Sequence, residues 1–231
     1  MRIAGFQPCT LIDYPGKVAA IVFTQGCPFA CTYCHNPELI PVQAGTYSEE
    51  DILGEIEKRK DFLDGVVVTG GEPTVQPDLE DFLKKIKALS LGIKLDTNGV
   101  HPDMIERCIQ NRLVDFFAMD IKHQFGKYKK VIGEVPDRVI ENCERTMDLI
   151  AHSGIPYEFR TTTNASIHTK EDILAIVSRL PLRARYALQG IRTEKTLKPM
   201  DNPGENTTIF LNACKEEIFL TRPDLHLILR T

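Results

Sequence analysis

Six short, β-branched apolar runs alternate with segments of helical period, and every run empties into a polar cluster. The runs lie at residues 18–23, 66–69, 93–96, 116–121, 157–161 and 185–188. Between them, apolar residues recur three and four apart. One such face is Ile52, Leu53 and Ile56, and a longer one is Leu79, Phe82, Leu83, Ile86 and Leu89. Val139, Ile140, Cys143, Met147 and Ile150 form a third, and Ile173, Leu174, Ile176, Val177 and Leu180 a fourth. A 3.6-residue period marks helices with one buried face, and the intervening runs mark strands. Ser48 with Asp51, and Thr169 with Asp172, have the spacing of N-terminal capping boxes, with Asp in place of Glu or Gln. Strands alternating with helices build a parallel sheet with helices outside, which is an α/β fold. Six units suffice for an open or closed (β/α) barrel, and periodicity leaves a doubly wound sheet as the alternative. Residues 2–6 and 225–229 read as added edge strands, and 207–218 as a helix.

No composition shift divides the 231 residues, so one domain over 1–231 is expected, with a core at about 17–190 and an extension at 191–231. Acidic and basic residues are interspersed and the net charge is −4, which argues against an electrostatic nucleic-acid binder. The seven cysteines are an odd number with three clustered, a pattern that fits the reducing cytoplasm better than a secreted disulfide scaffold. The N-terminus lacks the basic segment and apolar core of a signal peptide. No apolar run approaches the ~20 residues of a membrane helix.

The polar clusters follow the strands in order. The first is QGCPFACTYCHNP, with Cys27, Cys31 and Cys34 spaced C-x3-C-x2-C. Then come Gly70-Gly71-Glu72-Pro73, Asp96-Thr97-Asn98-Gly99, Asp120-Ile121-Lys122, Arg160-Thr161-Thr162-Thr163 and Gln189-Gly190. In a (β/α) barrel the C-terminal ends of the strands share one mouth, so these clusters converge. Three thiolates can hold a cubane iron–sulfur cluster by three corners, leaving one iron open to a ligand that is not protein. A structural zinc site of Cys27, Cys31, Cys34 and His35 is the alternative. An amino-acid-like ligand on the open iron needs a cation for its carboxylate, which Lys122 offers. Its ammonium needs acceptors, which Asp96, Asp120 and the Gly70–Gly71 carbonyls offer.

CPFACTYC resembles the cluster motif of the radical S-adenosylmethionine superfamily, including the aromatic Tyr33 before the third cysteine. GGEP resembles that superfamily's motif for the methionine amino group. CTYCHNP, GGEP, LDTNG and DIK together are similar to the glycyl-radical-enzyme activases. The stretch TLIDYPGKVAAIVFTQGCPFACTYCHNPELIP most resembles activating proteins of anaerobic ribonucleoside-triphosphate reductase. The resemblance runs from about residue 3 to 190. It implies a partial (β/α)6 TIM-like barrel with small edge-strand additions. It also implies a [4Fe-4S] cluster on Cys27, Cys31 and Cys34, with S-adenosylmethionine chelating the fourth iron. Reductive cleavage would yield a 5′-deoxyadenosyl radical, which takes a hydrogen atom from a glycine of a partner glycyl radical enzyme. By resemblance, Gly70, Gly71, Glu72, Asp96, Asp120 and Lys122 hold the methionyl end. Thr97, Gln189 and the backbone of Tyr33 are candidates for ribose and adenine contacts. The electron donor would be a flavodoxin or ferredoxin. The absence of a second cysteine cluster between residues 35 and 65 favours the minimal activase type, shared by activators of ribonucleotide reductase and pyruvate formate-lyase.

Several residues also have simpler readings. GGEP alone is a turn, and no Gly-Lys-Ser/Thr follows to make it a phosphate loop. Asp120 and Lys122 alternate onto one side of their strand, as a shared ligand or an ordinary ion pair requires. Arg160 suits a ligand contact or an interior carboxylate partner. Cys108, Cys143 and Cys214 fall on apolar helix faces and read as core. Cys9 reads as a free buried thiol in an N-terminal loop able to approach the mouth. The histidines show no metal-binding spacing. Two rival functions are a radical enzyme acting on a small molecule and a non-catalytic, zinc-stabilised interaction protein.

Overall fold

A computed structural model describes residues 1–191, 195–199 and 204–230. The strands are β1 (Ile3–Thr10), β2 (Ala19–Thr24), β3 (Gly65–Gly70), β4 (Gly92–Thr97), β5 (Phe116–Asp120), β6 (Tyr157–Thr163), β7 (Arg185–Gly190) and β8 (His226–Arg230). They form one sheet whose spatial order is the chain order. Pairing from β2 to β8 is parallel, and β1 runs antiparallel to β2. A doubly wound sheet reverses its strand order at a switch point. This sheet never does, and its six central β/α units form a partial barrel. Among the described residues no ladder joins β1 to β8.

The expected edge strands are present, and β1 extends to Thr10 because it follows β2 down to the pair Thr10↔Ala19. β6 and β7 continue past their apolar runs into Thr163 and Gly190, which pair with each other. The ladder uses backbone groups and is indifferent to the polar side chains there.

The helices are α1 (Glu49–Glu57), α2 (Leu79–Ala88), α3 (Pro102–Gln110), the short α4 (Lys129–Ile132), α5 (Asp137–His152), α6 (Lys170–Arg179) and α7 (Gly204–Thr221). Thr169 caps α6 with a full capping box. At α1, Asp51 N–H donates to Ser48 Oγ, but the Asp51 carboxylate accepts from the Ser48 hydroxyl, so the box is only half made. Leu79, Phe82, Leu83 and Ile86 bury one face of α2, and Thr207, Leu211, Cys214 and Ile218 one face of α7. Burying each Leu, Ile or Phe contributes about 1.5–3 kcal/mol, which fixes the helix rotations.

Strand side chains alternate between two environments. Val66, Val68, Leu95, Phe117, Met119 and Phe159 join the helices in the main core. Ile21, Val67, Phe116 and Ala118 face the opposite way and form a small apolar plug with Tyr14. Beside and beyond that plug the inward positions are charged: Lys94, paired with Val67 and Phe116, and Asp96 on β4, Asp120 on β5, Glu158, paired with Ala118, and Arg160 on β6. Those charges make the site.

Candidate functional site

All thirteen residues singled out in the sequence line one cavity at the C-terminal ends of the strands. They are Cys27, Cys31, Tyr33, Cys34, Gly70, Gly71, Glu72, Asp96, Thr97, Asp120, Lys122, Arg160 and Gln189. Thr69, Asn98 and Thr162 join them, together with Phe29, His35 and Asn36.

Glu72 is fully buried, and its carboxylate is spoken for. Oε1 accepts from Thr74 N (3.1 Å), Thr74 Oγ1 (2.6 Å) and Thr97 Oγ1 (2.8 Å), and Oε2 accepts from Asn98 N (2.6 Å). Burial pushes its carboxyl above the ordinary range, against the pull of these donors. Glu72 therefore ties the loop after β3 to the loop after β4. Thr97 spends its hydroxyl on the same tie, and accepts from Gly99 N (3.0 Å) as well. Beyond the tie, Asn98 Nδ2 reaches Cys27 Sγ at 3.7 Å.

The two glycines before Glu72 serve a close backbone approach, but the nearest neighbours are protein. A Cβ on Gly70, whose φ is +121°, would overlap the backbone of Thr24; one on Gly71 would overlap the Gly26 carbonyl. Glu72 N donates to that same Gly26 carbonyl (2.8 Å), which locks the loop after β3 against the cysteine loop.

Across the cavity floor runs a ladder of alternating charge. Lys94 Nζ pairs with Asp96 Oδ1. Arg160 Nη1 lies 3.2 Å from Asp96 Oδ2 and Arg160 Nε 2.8 Å from Asp120 Oδ1. Lys122 Nζ lies 3.0 Å from Asp120 Oδ2. Thr69 Oγ1 also donates to Asp96 (3.3 Å). Asp120 and Arg160 are direct partners in the β5–β6 register, so the sheet itself sets this spacing. Burial would raise Asp120, but Arg160 and Lys122 outweigh it and hold the carboxyl well below the usual range. Asp96 is likewise held down, against burial, by Arg160 and Lys94. Burial opposes the charge on Lys122, yet Asp120 keeps its ammonium protonated well past the ordinary lysine range. Arg160 thus serves as the interior carboxylate partner while still lining the cavity.

Burial pushes the thiol of Cys27 up to about 12 and that of Cys31 to about 11. Any metal these two sulfurs take up would displace their protons. Tyr33 is buried beside them, and its hydroxyl has no hydrogen-bond partner among the described residues. Residues 195–199 lie against the cysteine loop. Leu197 N donates to Cys34 O (3.1 Å), Lys198 N to Thr32 O (3.0 Å), and Lys195 Nζ pairs with Glu38 (2.8 Å).

One expectation needs correction. Cys9 is exposed and sits on β1 beside the Thr10↔Ala19 pair, at the end of the barrel opposite the mouth. Antiparallel pairing of β1 carries it away from the site. Among the histidines, His123 and His168 stack at 4.6 Å, and His168 Nε2 lies 3.0 Å from the Lys122 carbonyl. Lys94, Thr69 and Asn98 were not anticipated as site residues. Alternation from Asp96 is the signal that marks Lys94.

The donor set fits an iron–sulfur cluster with an amino-acid-bearing ligand. Three thiols rim one side of the cavity, a lysine and two aspartates another, and the backbone of Gly70 and Gly71 opens between them. The sequence matches the radical SAM superfamily over residues 21–180. It is 32% identical over 211 residues to a Methanocaldococcus jannaschii protein provisionally named a glycyl-radical enzyme activating enzyme, covering 88% of this chain and 87% of that one. It is 34% identical over 140 residues to the pyruvate formate-lyase-activating enzyme of Clostridium pasteurianum, covering 58% of each. The fold matches that of Streptococcus suis SuiB bound to S-adenosylmethionine with a TM-score of 0.69 at 15% identity, over 90% of this chain and 48% of that one. The matched residues include the cysteine loop and the charged floor: the chain belongs to the radical SAM superfamily, enzymes of oxidoreductase type that work with a [4Fe-4S] cluster and S-adenosylmethionine.

Proposed function

We propose that this enzyme installs a glycyl radical on a partner enzyme, and that the partner is an anaerobic ribonucleoside-triphosphate reductase. The observation that carries the reading is the convergence of thirteen residues, from six separate strand ends, on one cavity. Likeness over most of its length to an activating enzyme supports the activase class. The stretch at residues 10–41 favours the reductase as partner. Match to a pyruvate formate-lyase activator over part of the chain keeps that lyase as the second candidate.

In this reading Cys27, Cys31 and Cys34 ligate the cluster. The cluster and cofactor together supply a carbon-centred radical able to abstract hydrogen. Lys122 receives the cofactor carboxylate, and Asp120, Asp96 and the Gly70–Gly71 backbone receive its ammonium. Glu72 and Thr97 hold the two neighbouring loops in register. Arg160 fixes both aspartates, and Gln189, bonded to Thr162 Oγ1 (2.7 Å), and Tyr33 border the nucleoside end. A flavodoxin or ferredoxin supplies the electron. All seven cysteines are unpaired, which supports a reducing, cytoplasmic setting.

Anaerobic reconstitution tests the reading. The expected result is a brown protein that, when reduced, converts S-adenosylmethionine to 5′-deoxyadenosine and methionine. On mixing with the reductase, but not with pyruvate formate-lyase, a glycyl paramagnetic resonance signal should appear. Cys31→Ala should abolish cleavage. A colourless protein carrying stoichiometric zinc overturns the reading, and a signal on the lyase alone reassigns the partner.

A further inference from the structure

The ladder on the cavity floor begins at a residue with no place in the reading above. Lys94 is mounted on β4 two positions before Asp96, and its side chain is only 4% exposed. A buried ammonium is costly unless it is paired, and the partner here is Asp96. Its carboxylate in turn holds Arg160, which holds Asp120, which holds Lys122. The ladder has three cations and two carboxylates. Glu158, which shares the Ala118 register with Asp96, makes its ion pairs outside the ladder, with Arg185 (2.9 Å) and Arg230 (2.9 Å). Within the ladder itself the cations outnumber the carboxylates by one, and the cation at the cavity end is Lys122.

We propose that Lys94 is a positioning residue that readies Lys122 for the cofactor carboxylate through Asp96, Arg160 and Asp120; this rests on the S-adenosylmethionine reading. Lys94 satisfies one oxygen of Asp96, so Arg160 is free to turn its Nε to Asp120. Without Lys94, Asp96 draws Arg160 toward itself. Asp120 then loses a partner and leans on Lys122, and the ammonium that should meet the ligand is retained by the protein. The positive surplus of the floor disappears at the same time. Both effects weaken the hold on a carboxylate, whereas the ammonium, held by Asp96 and Asp120, loses no partner and meets a less positive floor.

The ligand can therefore report on the residue. Binding to cluster-loaded protein is measured for S-adenosylmethionine and for its decarboxylated analogue, with wild type, Lys94→Met, Lys94→Gln and Lys94→Arg. The two neutral variants should bind S-adenosylmethionine roughly tenfold more weakly, as expected for a coupling of this kind. Their affinity for the decarboxylated analogue, which keeps the ammonium, should not fall, and Lys94→Arg should restore the difference between the two ligands. An equal loss for both ligands overturns the proposal, because it makes Lys94 merely structural. So does unchanged affinity for both. Should the neutral variants fail to fold, Lys94→Arg still decides: loss of its preference for the carboxylated ligand overturns the relay. A wild-type holoenzyme that binds neither ligand overturns the cofactor reading itself.

Discussion

Replacing Glu72 separates the two loops it ties. Glu72→Gln keeps Oε1 as a carbonyl, so the three bonds from Thr74 and Thr97 survive. The amide nitrogen that replaces Oε2 then points its hydrogens at the Asn98 N–H, where a 2.6 Å bond stood. A hydrogen bond to a charged group contributes about 1.5–3 kcal/mol, and its loss leaves a buried N–H unsatisfied. Relief of the burial of a charge offsets part of this, so Glu72→Gln should cost about 1–2 kcal/mol. Glu72→Ala loses all four bonds and leaves a cavity, which places it at about 4 kcal/mol or more. Equilibrium urea unfolding of the reduced apo-protein measures both at constant slope. Because Asn98 also reaches Cys27, iron content after reconstitution should fall in the same order. A Glu72→Ala protein as stable as wild type, or no worse than Glu72→Gln, refutes the tie.

Two further outcomes follow from the geometry. Burial lowers the His168 imidazole to about 4, and the stacked His123 adds to the effect; an unfolded histidine titrates near 6.5. The unfolded chain therefore takes up the proton first, so this contribution is complete above about pH 6.5 and is lost as pH falls toward 4, by about 3 kcal/mol in all. His168→Gln should remove that part of the pH dependence, and parallel stability profiles for the two proteins would falsify it. Gly71→Ala forces a methyl group into the Gly26 carbonyl, where only backbone can yield, and should cost about 3 kcal/mol with reduced iron loading; a wild-type urea midpoint counts against the close approach.

Most of the architecture was legible because period and position agree along the chain. Each motif directly follows an apolar run, so once the strands are parallel and in sequence order the motifs must meet. Asp120 and Lys122 share a side by alternation alone. Lys94 was hidden by its neighbours: in Ile93-Lys94-Leu95-Asp96 the strand looks apolar with a stray lysine. Only a barrel, with a second inward face, gives that lysine a buried partner. Glu72 was read as ligand-facing because its motif is a site motif, and sequence does not report which way a buried carboxylate turns. Cys9 was misplaced because an apolar N-terminal run does not reveal that it pairs antiparallel. The contact of residues 195–199 with the cysteine loop is made by backbone N–H groups, which every residue but proline carries.

That contact also sets an order of events. Lys195 and Glu38 are 157 positions apart, and the donors that hold the carbonyls of Thr32 and Cys34 follow directly after Lys195. During synthesis the three cysteines emerge long before the segment that braces them, and contacts so distant in sequence are among the last to close. The braced form of the cysteine loop, the seat proposed for the cluster, exists only once residues 195–199 have been made and have folded back. An iron-delivery system acting on the nascent chain would meet three thiols on an unbraced loop; one acting on the folded protein would meet them already fixed in place.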